Sequence, residues 1–195
     1  MTPSAALAPA ERALGLIGPD LTEKSLRLHL EGLSGIDAVG LEERAAALGT
    51  RSIKTTSKAW ALDTIIRLID LTTLEGADTD GKVRSLVATA LNPDASDPTV
   101  PRAAAVCVYG DMVPTAVDAL GSAHGDPDAG NISVAAVATA FPSGRASLAV
   151  KTLDTTEAVA AGADEIDMVI DRGAFLSGNY GLVFDQIVAV KEACR

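Results

Sequence analysis

The chain has 195 residues, of which 48% are hydrophobic, 22% charged and 3% aromatic, a composition that excludes disorder throughout and leaves enough apolar side chains for a real core. Lys and Arg number 16 against 26 Asp and Glu, a formal net charge of -10, which sets the molecule as a whole against nucleic acid and anionic membranes, because phosphate contacts need clustered cations. The apolar runs stop well short of the roughly 18 to 20 residues that a membrane span requires, so no transmembrane segment is expected.

Up to about residue 57 the pattern is helical and rich in Ala and Leu. It runs through AERALGLI (10–17), LTEKSLRLHLEGL (21–33), in which Leu26, Leu30 and Leu33 share one face, and GLEERAAALG (40–49), with Gly49 as a C-terminal cap. The opening stretch MTPSAALAPAERALG has no basic region followed by an apolar one, and Cys107 and Cys194 lie far apart. Reduced thiols and a cytoplasmic location are therefore expected. The polar stretch SIKTTSK (52–58) separates these helices, taken as a unit over residues 1–57, from a second unit over 58–195.

In that second unit the period changes. Strands are expected at 69–74, 103–110, 131–142 and 164–171, and helices at 78–91, 112–121, 146–162 and 181–194, with Gly162 capping the third of these helices. Strand starts recur about every 30 residues, the length of a βα unit. Alternation of this kind implies α/β architecture with a parallel sheet covered by helices.

The fourth strand, DEIDMVID, carries acids through an apolar run. Alternation puts Ile166, Met168 and Ile170 on one face, toward helices, and Glu165, Asp167, Val169 and Asp171 on the other. In a closed barrel that second face is the interior, where a polar site can be built. A (β/α)8 barrel takes about 250 residues, whereas residues 60–195 supply four strands and four helices, so the first half of a barrel is expected.

Four stretches together resemble the deoxyribose-phosphate aldolase family, class I aldolases on a (β/α)8 TIM barrel. They are DLTTL (70–74) followed by DTDGKV, AAVCVY (104–109), ATAFPSG (138–144), and GADEIDMVID (162–171) followed by AFLSGNY. The resemblance spans roughly residues 58–195 and places the N-terminal helices as an extension of the kind longer members carry. It implies a lyase that cleaves 2-deoxy-D-ribose 5-phosphate to acetaldehyde and glyceraldehyde 3-phosphate, with a lysine amine forming a Schiff base and acids and bases moving protons. It implies no cofactor and no metal, and a small sugar phosphate as partner.

Carried over by position, the resemblance makes Asp167 the acid of the proton relay and Asp70, Thr72 and Cys107 substrate-pocket residues, the thiol not being a nucleophile. Ala140 stands where the family usually has Asn or Gly, and Gly110 where it usually has Pro. The family's Schiff-base lysine, its second lysine and its phosphate pocket belong to later strands. The chain is thus expected to be truncated after its fourth βα unit and inactive alone, with exposed sheet edges that favour pairing into a homodimer or aggregation.

Plainer readings stand beside these. Asp167 also suits a structural acid at a strand end, and Glu165 a residue that holds a neighbouring lysine. Asp164, Glu165, Asp167 and Asp171 alternate faces, which disfavours a hard-cation site. Lys24, Lys54, Lys58, Lys82, Lys151 and Lys191 fall in expected helices or linkers and do not suit a Schiff base. Cys107 suits a small buried hydrophobe. His29 and His124 have no partner at ligand spacing, and GSAHGDPDAGN (121–131) has surface-loop composition without a dinucleotide fingerprint. The alternatives in function are a non-catalytic half-barrel that binds a partner through its edges, or a transaldolase-like enzyme, against which DLTTL and the EID motif argue.

Overall fold

The computed structural model describes residues 23–121 and 132–195. AERALGLI, His124 and nearly all of the GSAHGDPDAGN loop lie outside the described residues. Three helices come first, α1 (Glu23–Glu31), α2 (Ala38–Gly49) and α3 (Thr55–Ile66). Then follow β1 (Asp70–Thr72), α4 (Asp80–Leu91), β2 (Ala105–Tyr109), a 3-10 turn (Gly110–Met112), α5 (Val113–Gly121), β3 (Ser133–Ala138), α6 (Leu148–Ala160), β4 (Glu165–Met168), the short α7 (Arg172–Leu176) and α8 (Tyr180–Ala193).

The four strands form one parallel sheet in the order β1-β2-β3-β4. Each strand lies beside its predecessor, as sequential strands commonly do. Parity along the strands separates two apolar layers. Val106, Val108, Val134, Ala136 and Ile166 face the helices, where Val83, Val87, Val113, Ala116 and Ala158 meet them. On the opposite face Cys107, Ala135 and Val137 form a smaller cluster with Leu74, Tyr109 and Phe141. The helix-facing layer is the core of the described fold; the second face is the one that lines the interior in a closed barrel.

Local chemistry explains the element ends. Thr79 caps α4 by accepting from Lys82 N, and Ser147 caps α6 by accepting from Val150 N. Helix α6 ends in a Schellman motif, with Ala163 N donating to Ala158 O and Gly162 N to Val159 O. Gly162 has φ +104, so the cap expected there is present. At Gly49 it is not: the glycine is the last helical residue and Thr50 is the cap.

The expected domain boundary at residue 57 falls inside α3, which begins at Thr55; the stretch taken as a linker starts a helix. Its first turn is polar and no residue of α3 is buried, so no apolar period announces it. Helix α2 likewise has no buried residue, and Trp60 and Leu68 are 69% and 74% exposed. Helix α1 packs differently. Leu26 is buried, and Arg27 donates to Gly178 O at 2.9 Å and lies 5.7 Å from the Tyr180 ring centroid, which ties the N-terminal segment to α8. Leu33, expected to share the Leu26 face, lies past the helix end and is exposed.

Candidate active site

The strands end sooner than the apolar runs that announced them. After Ala138, Thr139 and Ala140 both take positive φ, +65 and +63, and the chain turns away from the sheet into the loop that holds Phe141, Pro142 and Gly144. The end of β4 is retained by side chains rather than by the ladder. The Thr139 hydroxyl donates to Val169 O at 2.9 Å and accepts from Val169 N at 2.7 Å.

Asp70, Thr72, Cys107 and Asp167 all stand on the interior-lining face. The register pairs Asp70 with Ala105, Thr72 with Cys107, and Asp167 with Val137. Cys107 on β2 reaches over β3 to Asp167 on β4, with Sγ 3.4 Å from Oδ2; Ala135, small and level with Cys107 in the register, leaves that span open. Thr72 turns its hydroxyl to Asp70 O at 2.9 Å. Asp70, Thr72, Glu165 and Asp167 are exposed.

Burial and then the Asp167 carboxylate push the Cys107 thiol up to about 12, so Cys107 is a protonated donor to Asp167 at neutral pH. A thiolate nucleophile needs the opposite surroundings. Cys107 is thus a buried small side chain, as its plain reading has it, and lies beside the Asp167 carboxylate.

The four acids of GADEIDMVID separate by partner. Asp164 accepts from Val134 N at 2.9 Å and donates its own N–H to Val134 O, which fastens the entry of β4 to β3. Asp171 caps α7, accepting from Ala174 N at 2.9 Å; that bond, with the nearby charges of Lys151 and Arg145, holds its carboxyl below the usual range. Glu165 and Asp167 keep the interior face.

Two arrangements escaped the sequence reading. Asp78, in DTDGKV, takes hydrogen bonds from Thr73 Oγ1 at 2.9 Å and Glu75 N at 3.0 Å and pairs with Lys82 at 2.5 Å. It fixes the loop that follows β1, and the Lys82 ammonium lowers its pKa first among several causes. Lys151 is 0% exposed and donates to Gln186 Oε1 at 2.8 Å between α6 and α8, and burial lowers its pKa. No pattern in the sequence marks that pair, since the partners are 35 residues apart. Lys24, Lys58, Lys82, Lys151 and Lys191 lie in helices and Lys54 stands at the N-cap position of one, as expected; the burial of Lys151 is a correction, since none of the six was expected at a desolvated position that lowers its pKa.

The C-terminal ends of the strands, where barrel enzymes carry their sites, border a cleft of about 490 Å³ lined in part by Tyr109, Asp111, Ala140, Phe141, Asp154 and Glu157. Tyr109 and Phe141, both in its lining, pack edge to face with centroids 5.9 Å apart. Among the described residues, no helix is long and apolar enough to cross a membrane.

A family model described as DeoC/LacD family aldolase matches residues 64–195. A Caenorhabditis elegans protein named "Putative deoxyribose-phosphate aldolase" is 39% identical over 130 residues, 67% of this chain and 41% of that protein. A Coccidioides immitis crystal structure of the same description has TM-score 0.56 and 28% identity, covering 68% of this chain and 46% of its own. The deoxyribose phosphate aldolase of Aeropyrum pernix, described as tetrameric, has TM-score 0.50 and 23% identity over 68% of this chain and 50% of its own; at that identity it speaks for the fold alone. The chain thus spans half or less of the length of these relatives.

Proposed function

The chain belongs to the DeoC/LacD family of aldolases, and from that premise we propose that the complete barrel reversibly cleaves 2-deoxy-D-ribose 5-phosphate to acetaldehyde and D-glyceraldehyde 3-phosphate through a lysine Schiff base. The observation that carries this reading is the convergence of Asp70, Thr72, Cys107 and Asp167 on one sheet face, with Cys107 Sγ against the Asp167 carboxylate. The 39% identity to the Caenorhabditis elegans relative supports the choice of substrate class.

In this reading a lysine of a later strand attacks the sugar carbonyl, loses water and forms an iminium. The electrons of the breaking C–C bond then move into the iminium to give an enamine, while a base takes the proton from the hydroxyl that becomes the aldehyde of glyceraldehyde 3-phosphate; protonation of the enamine and hydrolysis of the iminium release acetaldehyde and the lysine. Asp167 belongs to that relay: its carboxylate faces the interior and is free to exchange protons through water. Cys107 stays protonated and orients the carboxylate. Asp70 and Thr72 shape the wall beside it. The two free thiols fit a reducing compartment such as the cytoplasm.

The test uses a polypeptide that includes the complete barrel. Borohydride in the presence of deoxyribose 5-phosphate should trap a covalent adduct, and a chelator should leave turnover intact. Asp167→Asn should lower turnover about 10²-fold or more while the adduct still forms. Loss of activity on chelation without any trapped adduct would refute the Schiff-base reading.

A further inference from the structure

The backbone at Thr139 is costly. A β-branched residue at φ +65 is a steric outlier, held only where its surroundings over-determine it. Glycine would remove the strain, so the threonine side chain must supply something that glycine lacks.

Its hydroxyl does. Ala138 and Met168 are the last register pair between β3 and β4, and beyond them the Val169 N–H and C=O have lost the ladder. Thr139 Oγ1 takes over as partner to both, at 2.7 and 2.9 Å, from a site with no exposed surface. Asp154 Oδ2 on α6 accepts from Ala140 N at 3.2 Å and so holds the turn from behind. Asp167, two residues before Val169, is exposed and makes its side-chain contact with Cys107. Its place is therefore set mainly by the backbone beneath it.

We infer that Thr139 is a positioning residue for Asp167: by pinning Val169 it fixes the end of β4 and holds the Asp167 carboxylate over Cys107. The importance of this for turnover rests on the aldolase reading; the positioning itself does not.

The experiment therefore needs no substrate. In the 195-residue chain with Cys194→Ser, the rate at which iodoacetamide modifies Cys107 at pH 9 scales with the thiolate fraction, tenfold per pKa unit. The groups that face the thiol are Asp167, Thr72 and Asp70. Removing the carboxylate charge in Asp167→Asn should speed modification about tenfold. Thr139→Val keeps the side-chain shape but loses the hydroxyl, so the carboxylate drifts from the thiol and modification should rise about threefold. Thr139→Ser should behave as the parent.

The double variant decides between positioning and loosening. If Thr139 acts through Asp167, adding Thr139→Val to Asp167→Asn should change the rate no further. A threefold rise in that background too, or no rise in Thr139→Val alone, would overturn the inference. Should the valine variant not fold, amide hydrogen exchange at Val169 in the parent and in Thr139→Ser gives the reading: protection in both is expected, and fast exchange in the parent would overturn it. Parent-like turnover of Asp167→Asn in the complete barrel would instead take Asp167 out of the proton relay and leave this thiol cycle intact.

Discussion

Two adjacent positive-φ residues, Thr139 and Ala140, should respond to the same substitution with opposite signs. An L-residue in the left-handed region costs about 1 to 2 kcal/mol, and glycine there costs about 0.4 to 1 kcal/mol through the extra freedom of the unfolded chain. For Ala140→Gly the difference is a net stabilisation of about 0.8 kcal/mol, since the hydrogen bond to the Asp154 carboxylate is donated by the backbone N–H of residue 140 and survives. For Thr139→Gly the same relief is outweighed. Both Oγ1 bonds vanish, the Val169 N–H and C=O are left without partners at about 1 kcal/mol or more each, and a buried methyl worth about 0.8 kcal/mol is lost. The net is a destabilisation of about 2 kcal/mol. In urea, with a slope of about 2 kcal/mol per molar, the midpoint should rise about 0.4 M for Ala140→Gly and fall about 1 M for Thr139→Gly. A lower midpoint for Ala140→Gly would refute the strain argument, and a raised one for Thr139→Gly would refute the claim that the hydroxyl offsets it.

Gly144→Ala should abolish a stable fold of the loop after β3, because a Cβ at φ +69 would run into the Ile170 carbonyl; circular dichroism and a solubility assay suffice to see it. Lys151 bears on the alkaline limb of stability. Burial puts its folded pKa below 10.5, so between the folded and unfolded values the unfolded chain binds more protons and stability rises with pH, levelling off above 10.5. Lys151→Met should remove that rise, seen as a parent-minus-variant difference that grows with pH in denaturant titrations. The 195-residue chain itself has strands β1 and β4 paired on one side only among the described residues. It should show no retro-aldol turnover and should associate through those edges. Turnover that survives Lys151→Ala and Lys191→Ala, or a well-folded monomer by solution mass, would count against this.

Period-2 alternation alone placed Asp167 on the interior face and Ile166 and Met168 on the helix side, and the βα spacing gave the parallel sheet. Both follow from geometry that every strand obeys. The strand ends were less legible. ATAF extends the apolar run of β3, and nothing in those letters says that Thr139 leaves the β region, since threonine favours it. Helix α3 was missed because its first turn is polar and its apolar residues, Trp60, Leu62 and Ile65 among them, are spread around the helix and none is buried. Helix α7 was missed because five residues are too few to show a period; its one signal is Asp171 three residues before Ala174, a cap spacing. Lys151 reads as an ordinary surface lysine until Gln186 is brought to it by the packing of α6 on α8.

The acids threaded through the β4 segment illustrate how a strand can be apolar on one side and charged on the other without cost to the core. Position decides their roles. Asp164 precedes the strand and Asp171 follows it, and each satisfies backbone N–H groups that the neighbouring elements leave open. Glu165 and Asp167 lie within the strand at even spacing, so neither meets the helix-facing layer that holds Ile166. Removing Asp164 or Asp171 should therefore be felt in stability, through unpaired backbone groups, whereas Asp167 is exposed and removing it should be felt in the protonation of Cys107. The segment combines two kinds of acid by position: Asp164 and Asp171 anchor its two ends to the backbone of neighbouring elements, and Glu165 and Asp167 stand on the strand face between those anchors.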